Sequence, residues 1–208
     1  MAHIATDGLN RSELYKLLIG SVVPRPIAWV TSTSATGVVN LAPFSAFTWV
    51  CHDPPLVGFA ITRRRNGEIK DTARNALDHK SYVINIADEP LLEPLHLSSI
   101  DYDPEVSEAE VLGLDLSPSS IIDVPRLADA PIALECRFVQ ALEFGPAHQQ
   151  FIIGEIVSFY VRDDLYVRGS IDSAVLRPIA RLAGPNYAHL GEIVRMQPVP
   201  ERPNSQVR

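Results

Sequence analysis

The sequence predicts a mainly β protein, an antiparallel barrel decorated with helices. Three observations carry that expectation. Roughly six or seven apolar segments read as strands, most of them separated by turn-forming residues rather than by helices. No regular βαβ alternation runs through the chain. Neither a GxGxxG nor a GxxxxGK[ST] motif occurs, which argues against a Rossmann or P-loop nucleotide site.

The 208 residues suit one domain with a substantial core. We expect that domain to occupy residues 1–192, with 193–208 as a proline-rich, loosely ordered tail. Hydrophobic residues at 46% and charged residues at 21% are ordinary globular usage. A net charge of −7 speaks against a general nucleic-acid binder but leaves room for a local basic pocket. Two cysteines, Cys51 and Cys136, lack a CxxC spacing. They read as buried, reduced thiols of a cytoplasmic protein, not as a disulfide or zinc framework. The six histidines show no HExxH or other ligand spacing, so no metal site is expected. The N-terminus lacks the basic start and apolar core of a signal peptide. No stretch approaches the ~18–20 apolar residues of a membrane span, so no membrane partner is expected.

Asn10 or Ser12 caps a helix over Glu13–Ile19, with Leu14, Leu17 and Leu18 as its apolar stripe and Gly20 as its stop. Pro24 and Pro26 hold Arg25 in an extended link. Ile27–Ser32 is a strand that runs into hydroxyls. After a turn at Thr36-Gly37, Val38–Trp49 returns as its hairpin partner. Within that return, Asn40 and Ser45 are polar groups among apolar neighbours, and buried polar groups need partners. Pro43 removes a ladder donor and belongs at an edge or bulge.

Asp53-Pro54-Pro55 turns the chain into a third strand, Leu56–Ile61. The basic run Arg63–Arg65 and the turn Asn66-Gly67 precede a helix over Glu68–Asp78, with Lys70, Asp71 and Thr72 in its first turn. Ser81–Ala87 alternates as a strand, Asp88–Leu97 is helical, and Pro104–Glu110 forms a short helix. Pro131–Phe144 and Gln149–Arg162 form a long hairpin around Gly145-Pro146. Asp172 caps a turn through Leu176. Arg177–Leu182 returns as a short strand and runs into a loop bearing Tyr187 and His189.

An apolar hairpin with embedded amide and hydroxyl groups, beside a basic helix start, fits an amphiphilic aromatic phosphate. Flavin mononucleotide (FMN) is such a ligand. Eight blocks in order then carry a family resemblance: VPRPIAWVTS (Val23–Ser32), NLAPFSAF (Asn40–Phe47), DPPLVGFAI (Asp53–Ile61), KDTARN (Lys70–Asn75), YVINIA (Tyr82–Ala87), PIALECR (Pro131–Arg137), IIGEIV (Ile152–Val157) and RPIARLAGPNYAHL (Arg177–Leu190). The chain resembles the flavin reductase-like family of FMN-binding split barrels.

The resemblance implies a six-stranded antiparallel Greek-key split barrel with peripheral helices, non-covalent FMN and a homodimer. It also implies hydride transfer from NAD(P)H to flavin, often feeding a partner monooxygenase. On this resemblance Thr31, Ser32 and Thr33 line the ribityl and phosphate region. Asn40, Ala42, Pro43, Phe44, Ser45 and Ala46 follow the isoalloxazine edge. Arg64, Lys70, Asp71 and Thr72 hold or frame the phosphate. Arg25 or a backbone N–H faces the N1–C2=O side, and Tyr187 and His189 lie over the nicotinamide side. The family stretch Gly-Arg-Tyr-His reads Gly184-Pro185-Asn186-Tyr187-Ala188-His189 here. Two rival readings stay open: an FMN-containing electron carrier of the flavoredoxin kind, and a non-redox dimeric barrel.

Overall fold

The structure is a computed structural model that describes residues 1–64 and 66–198. Arg65 of the basic run, and the tail from 199 onward, lie outside the described residues. Seven strands form one antiparallel sheet: β1 Ala28–Thr33, β2 Val39–Phe44, β3 Phe47–His52, β4 Pro55–Ile61, β5 Ser81–Ile86, and two long strands described below as β8 and β9. Between β5 and that pair, β6 Leu116–Ser117 pairs with β7 Arg126–Leu127. The long pair is β8 Ile132–Phe144 and β9 Gln149–Val161. The chain then adds β10 Tyr166–Val167 with β11 Ser170–Ile171, and β12 Ala180–Arg181 with β13 Tyr187–Ala188. Among the described residues five α-helices accompany them: α1 Arg11–Ser21, α2 Asp71–His79, α3 Leu92–Leu97, α4 Glu108–Val111 and α5 Ser173–Leu176.

The sheet order is β2-β1-β5-β8-β9-β4-β3. Its two edge strands, β2 and β3, are consecutive in the chain and separated only by Ser45 and Ala46. The single strand expected over Val38–Trp49 is therefore broken there, and the sheet has seven strands instead of six. The physical reason is closure. The first half of the run pairs with β1, Ala28 opposite Phe44. The second half pairs with β4, Phe47 opposite Phe59. At the break the Ala60 N–H donates to the Ala46 carbonyl at 2.8 Å. Counting β2 and β3 as one bent strand restores six staves. The strand β5 returns beside β1 after the meander β1, β2/β3, β4, which is Greek-key connectivity. Pro43 sits on the edge strand β2, where its missing N–H costs no ladder bond.

Inside the barrel, Val30, Phe44, Phe59, Tyr82, Ile84, Leu134 and Ile152 pack as one core. Phe59 lies 5.2 Å from Phe44 and 5.5 Å, edge-on, from Tyr82. Gly154 leaves the space that the Tyr82 ring occupies, since a Cβ there would run into the Tyr82 hydroxyl. A second core forms on the outer face of β1 and β2, where α3 and α4 bring Leu95 and Ala109 against Trp29 and Leu41. The Trp29 indole N–H donates to Ser98 Oγ at 2.9 Å, which satisfies the one polar atom of that ring. Cys136 is buried, and burial pushes its thiol far up. Cys51 is half-buried on β3.

Local chemistry accounts for the boundaries. Asn10 caps α1 in a reciprocal capping box with Glu13. The helix passes Gly20 and ends at Ser21. Its expected apolar stripe is not buried, for no residue of α1 is, and Leu17 and Leu18 face out. The turn at Gly37 needs its φ of +88°, which glycine adopts without penalty. The helix expected from Glu68 begins only at Asp71, because Asn66 binds the Glu68 N–H at 3.1 Å and holds those residues in a turn. The segment expected as one helix over Asp88–Leu97 opens with a 3₁₀ turn at Glu89–Leu91 before α3. The long hairpin β8–β9 and the Asp172 cap of α5 follow the sequence reading closely. Among the described residues, no helix is long and apolar enough to cross a membrane.

Candidate functional site

The open seam of the barrel, where β2 leaves the sheet edge, carries a groove. One half is lined by Asn40, Ala42, Pro43 and Phe44 of β2, by Arg64, and by Lys70, Asp71 and Thr72 at the start of α2. The other half is lined by Arg25, Pro43, Ser45, Arg181 and Tyr187, among others. Pro43 and Ser99 belong to both halves, so the two are continuous. The structure thus brings together most of the residues that the sequence singled out.

At the α2 end a buried polar cluster sets the wall. Asn40 Nδ2 donates to Thr72 Oγ1 at 2.8 Å and faces Ser32 Oγ at 3.5 Å. Asn75 Nδ2 also donates to Ser32 Oγ, at 3.2 Å. Ser32 and Asn40 are opposite each other in the β1–β2 register, which is why a hydroxyl and an amide so far apart in sequence meet. The helix itself starts without a side-chain cap: Lys70 is its N-cap residue and makes no capping bond. Its first N–H groups therefore keep their donor capacity and the positive end of the helix dipole.

Arg64 sits between two carboxylates. It bonds Asp71 Oδ2 at 2.5 Å and Asp101 Oδ1 at 2.6 Å, and Asp71 also pairs with Arg74. Burial would lower the Arg64 pKa, but the bond and charge of Asp71 outweigh it, so the guanidinium is held more firmly charged. Its fork is already engaged, which makes it a frame for this end of the groove, whereas the Lys70 side chain makes no hydrogen bond or ion pair among the described residues.

At the other end Arg25 is tied down by backbone carbonyls. It donates to Ile19 O and Val22 O at 2.7 Å each and to Leu182 O at 2.9 Å, and its Nε–H faces Ser45 Oγ at 3.5 Å. The first two carbonyls belong to the end of α1, where a cation is electrostatically favoured. Tyr187 is fixed by its hydroxyl, which receives a bond from Arg181 and lies 3.0 Å from His96 Nδ1. The His96 ring meets the Tyr187 ring edge-on.

Five of the singled-out residues do not line the groove, and one of them, Ser32, is fully buried behind Asn40 and Asn75. Strand alternation sends the Thr31 side chain to the face opposite Ser32, where its hydroxyl donates to Pro125 O at 2.7 Å. Thr33 shares that parity, and its buried Oγ1 has no partner among the described residues. Ala46 is exposed at the strand break and contributes its carbonyl to barrel closure. His189 lines a separate apolar pocket and pairs with Glu89 at 3.3 Å. It lines neither half of the groove.

Sequence reasoning did not single out Ser99, Asp101, Glu108 or Arg181, all of which reach the groove. No local pattern marks them, since each arrives through contacts distant in sequence. Glu108 is the most consequential. It is buried, and its Oε2 accepts the Leu41 N–H at 2.7 Å, which closes an outward-facing donor of the edge strand β2. Burial pushes its carboxyl above the ordinary range, with the Leu41 bond acting in the other direction. Among the described residues no group of three or more His, Cys, Asp and Glu side chains is placed to hold a metal ion.

Comparison with known proteins places this geometry in context. Residues 19–174 match the family model described as "Flavin reductase like domain". The chain is similar to nitrilotriacetate monooxygenase component B from Bacillus cereus, at 38% identity and a TM-score of 0.91, covering 94% of this chain and 98% of that one. It is also similar to the 2-nitrobenzoate 2-nitroreductase of Pseudomonas fluorescens, at 39% identity and a TM-score of 0.89, covering 98% and 100%. A split barrel domain protein from Shewanella frigidimarina shares the fold at 22% identity and a TM-score of 0.83, covering 96% and 100%.

Glu108 yields a pH prediction. A carboxyl whose folded pKa lies above its unfolded value favours the protonated form in the fold. The stability it contributes is present below the unfolded pKa and is lost as pH rises through the folded one. Glu108→Gln removes that titration and keeps an oxygen for the Leu41 N–H. Denaturant unfolding at stepped pH should show the wild type losing stability relative to the variant as pH climbs from about 4 toward neutrality. Parallel curves contradict the assignment.

Proposed function

Because this chain belongs to the flavin reductase like domain family, we propose that it binds FMN non-covalently in the seam groove and reduces it with NAD(P)H, supplying reduced flavin to a partner monooxygenase. The observation that carries this reading is the pairing of an uncapped, lysine-flanked helix start with an apolar strand edge in one continuous groove.

The donor set fits the group. A phosphate suits Lys70 and the first N–H groups of α2. Ribityl hydroxyls suit Asn40 and Thr72 on the groove wall, whose oxygens keep lone pairs beyond the bonds they already make, with the buried Ser32 bracing Asn40 from behind. The ring suits the edge formed by Ala42, Pro43 and Phe44, with Ser45 and the Arg25 charge at its far end. FMN, when bound, supplies a redox ring that accepts a hydride from a reduced nicotinamide. The protein's own part is orientation and charge. Arg25 is held rigid by three carbonyls and keeps a positive field at that end. Tyr187, locked between His96 and Arg181, forms a fixed wall beside it. No side chain has to act as a strong acid or base. The solved relative named as a monooxygenase component supports delivery of reduced flavin to a second protein.

We also read the chain as a homodimer. Tyr15 and Leu18 of α1 and Trp49 of β3 are 60%, 63% and 70% exposed, an apolar surface that a second copy would cover.

Two measurements test these readings. Anaerobic stopped-flow mixing with NADH and with NADPH should bleach the bound flavin faster than either bleaches free FMN; equal rates with both overturn the reductase reading. Light scattering after size exclusion should give the mass of two chains, and a single-chain mass contradicts the dimer.

A further inference from the structure

Arg25 and Arg181 face each other across an antiparallel bridge: the Arg25 N–H donates to Arg181 O at 3.0 Å and the Arg181 N–H donates to Arg25 O at 2.8 Å. Like charges directly opposite each other on paired strands are destabilising unless something neutralises them. Both side chains line the same half of the seam groove. Among the described residues neither guanidinium has a carboxylate within salt-bridge distance, although seven other ion pairs engage arginines elsewhere in the chain. What surrounds Arg25 is carbonyl oxygen, which supplies only partial charge. In a chain of net charge −7 this is an isolated positive spot.

The donors divide the work. A guanidinium has about five N–H groups. Arg25 spends its Nη1 pair and one Nη2 hydrogen on carbonyls and turns its Nε–H to Ser45. Arg181 spends one on the Tyr187 hydroxyl and lays its plane over that ring, 4.6 Å from the centroid. Arg25 is therefore a fixed source of field, and Arg181 keeps most of its fork for a ligand. Ser45 and Ser99 add hydroxyls to the same pocket. A planar fork with a second cation behind it selects an oxyanion that accepts two bonds at once.

We propose that Arg181, backed by Arg25, forms an anion pocket that seats the negatively charged group of the second reactant against the flavin groove. The ligand class is a phosphate or carboxylate oxyanion. It comes either from the pyrophosphate of a dinucleotide or from the carboxylate of an aromatic acid. The assignment of that oxyanion to a second reactant rests on the flavin reading; the pocket itself does not.

The test is calorimetric titration of the full chain, with and without FMN, using inorganic pyrophosphate in one arm and benzoate in the other. At least one probe should bind the wild type, with an affinity that falls as salt rises. Arg181→Gln should weaken it by about tenfold or more, in the flavin-free chain as well as in the FMN complex. Arg181→Lys, which keeps the charge and loses the fork, should restore only part of the binding. Pyrophosphate binding alone identifies the dinucleotide as source, and benzoate binding identifies an aromatic acid. Absence of binding by both probes, or unchanged binding in Arg181→Gln, overturns the pocket. FMN uptake without anion binding sinks the pocket and spares the flavin reading; anion binding without FMN uptake does the reverse.

Discussion

Everything in this fold depends on one closure. A sheet has two edges with unpaired N–H and C=O groups, and an exposed edge invites aggregation. Here the same run of chain supplies both edges. Its first half pairs with β1 and its second with β4, and the two halves meet at Ser45 and Ala46. The break cannot be a regular ladder, because the chain must change partner from β1 to β4 within two residues. The seam that results is where backbone edge, apolar side chains and helix start come together. The groove is thus a consequence of how the barrel shuts.

The seam is kept usable by polar groups that are satisfied from outside the sheet. Glu108 on α4 closes the Leu41 N–H, and α2 brings Thr72 and Asn75 against Asn40 and Ser32. Charge is arranged with the same economy. Arg64 and Arg74 answer Asp71 and Asp101, which leaves Lys70 and the helix start as the available positive end. At the far end Arg25 locks the end of α1 and the Leu182 segment together, so that element positions there are set by one guanidinium. A flavin with an anionic tail and a ring that becomes anionic on reduction suits a groove that is positive at both ends and apolar between.

Much of this was legible in the sequence, and what was not has physical causes. The hairpin of β8 and β9 was clear because alternation and a Gly-Pro turn are local signals. The helix after Asn66-Gly67 was legible too, although its start falls at Asp71 and not at Glu68. The break at Ser45 was not, since nothing local says that a strand must serve two partners. Thr31, Ser32 and Thr33 read as one hydroxyl run in sequence, but a two-residue period splits them between faces. Apolar periodicity gives α1 a stripe of Leu14, Leu17 and Leu18, yet α1 buries none of its residues. Arg181 and Glu108 reach the groove through pairings with Arg25 and Leu41 that no spacing in the chain announces.

The central claim is that the α2 start holds the phosphate of a flavin. Equilibrium titration of the flavin-free protein with FMN and with riboflavin, followed by flavin fluorescence, tests it most directly. Two charge-assisted hydrogen bonds are together worth about 3 kcal/mol or more, so FMN should bind at least about a hundredfold more tightly than riboflavin, and Lys70→Met should erase much of that ratio. Equal affinities for the two flavins, or no uptake of either, would contradict the account.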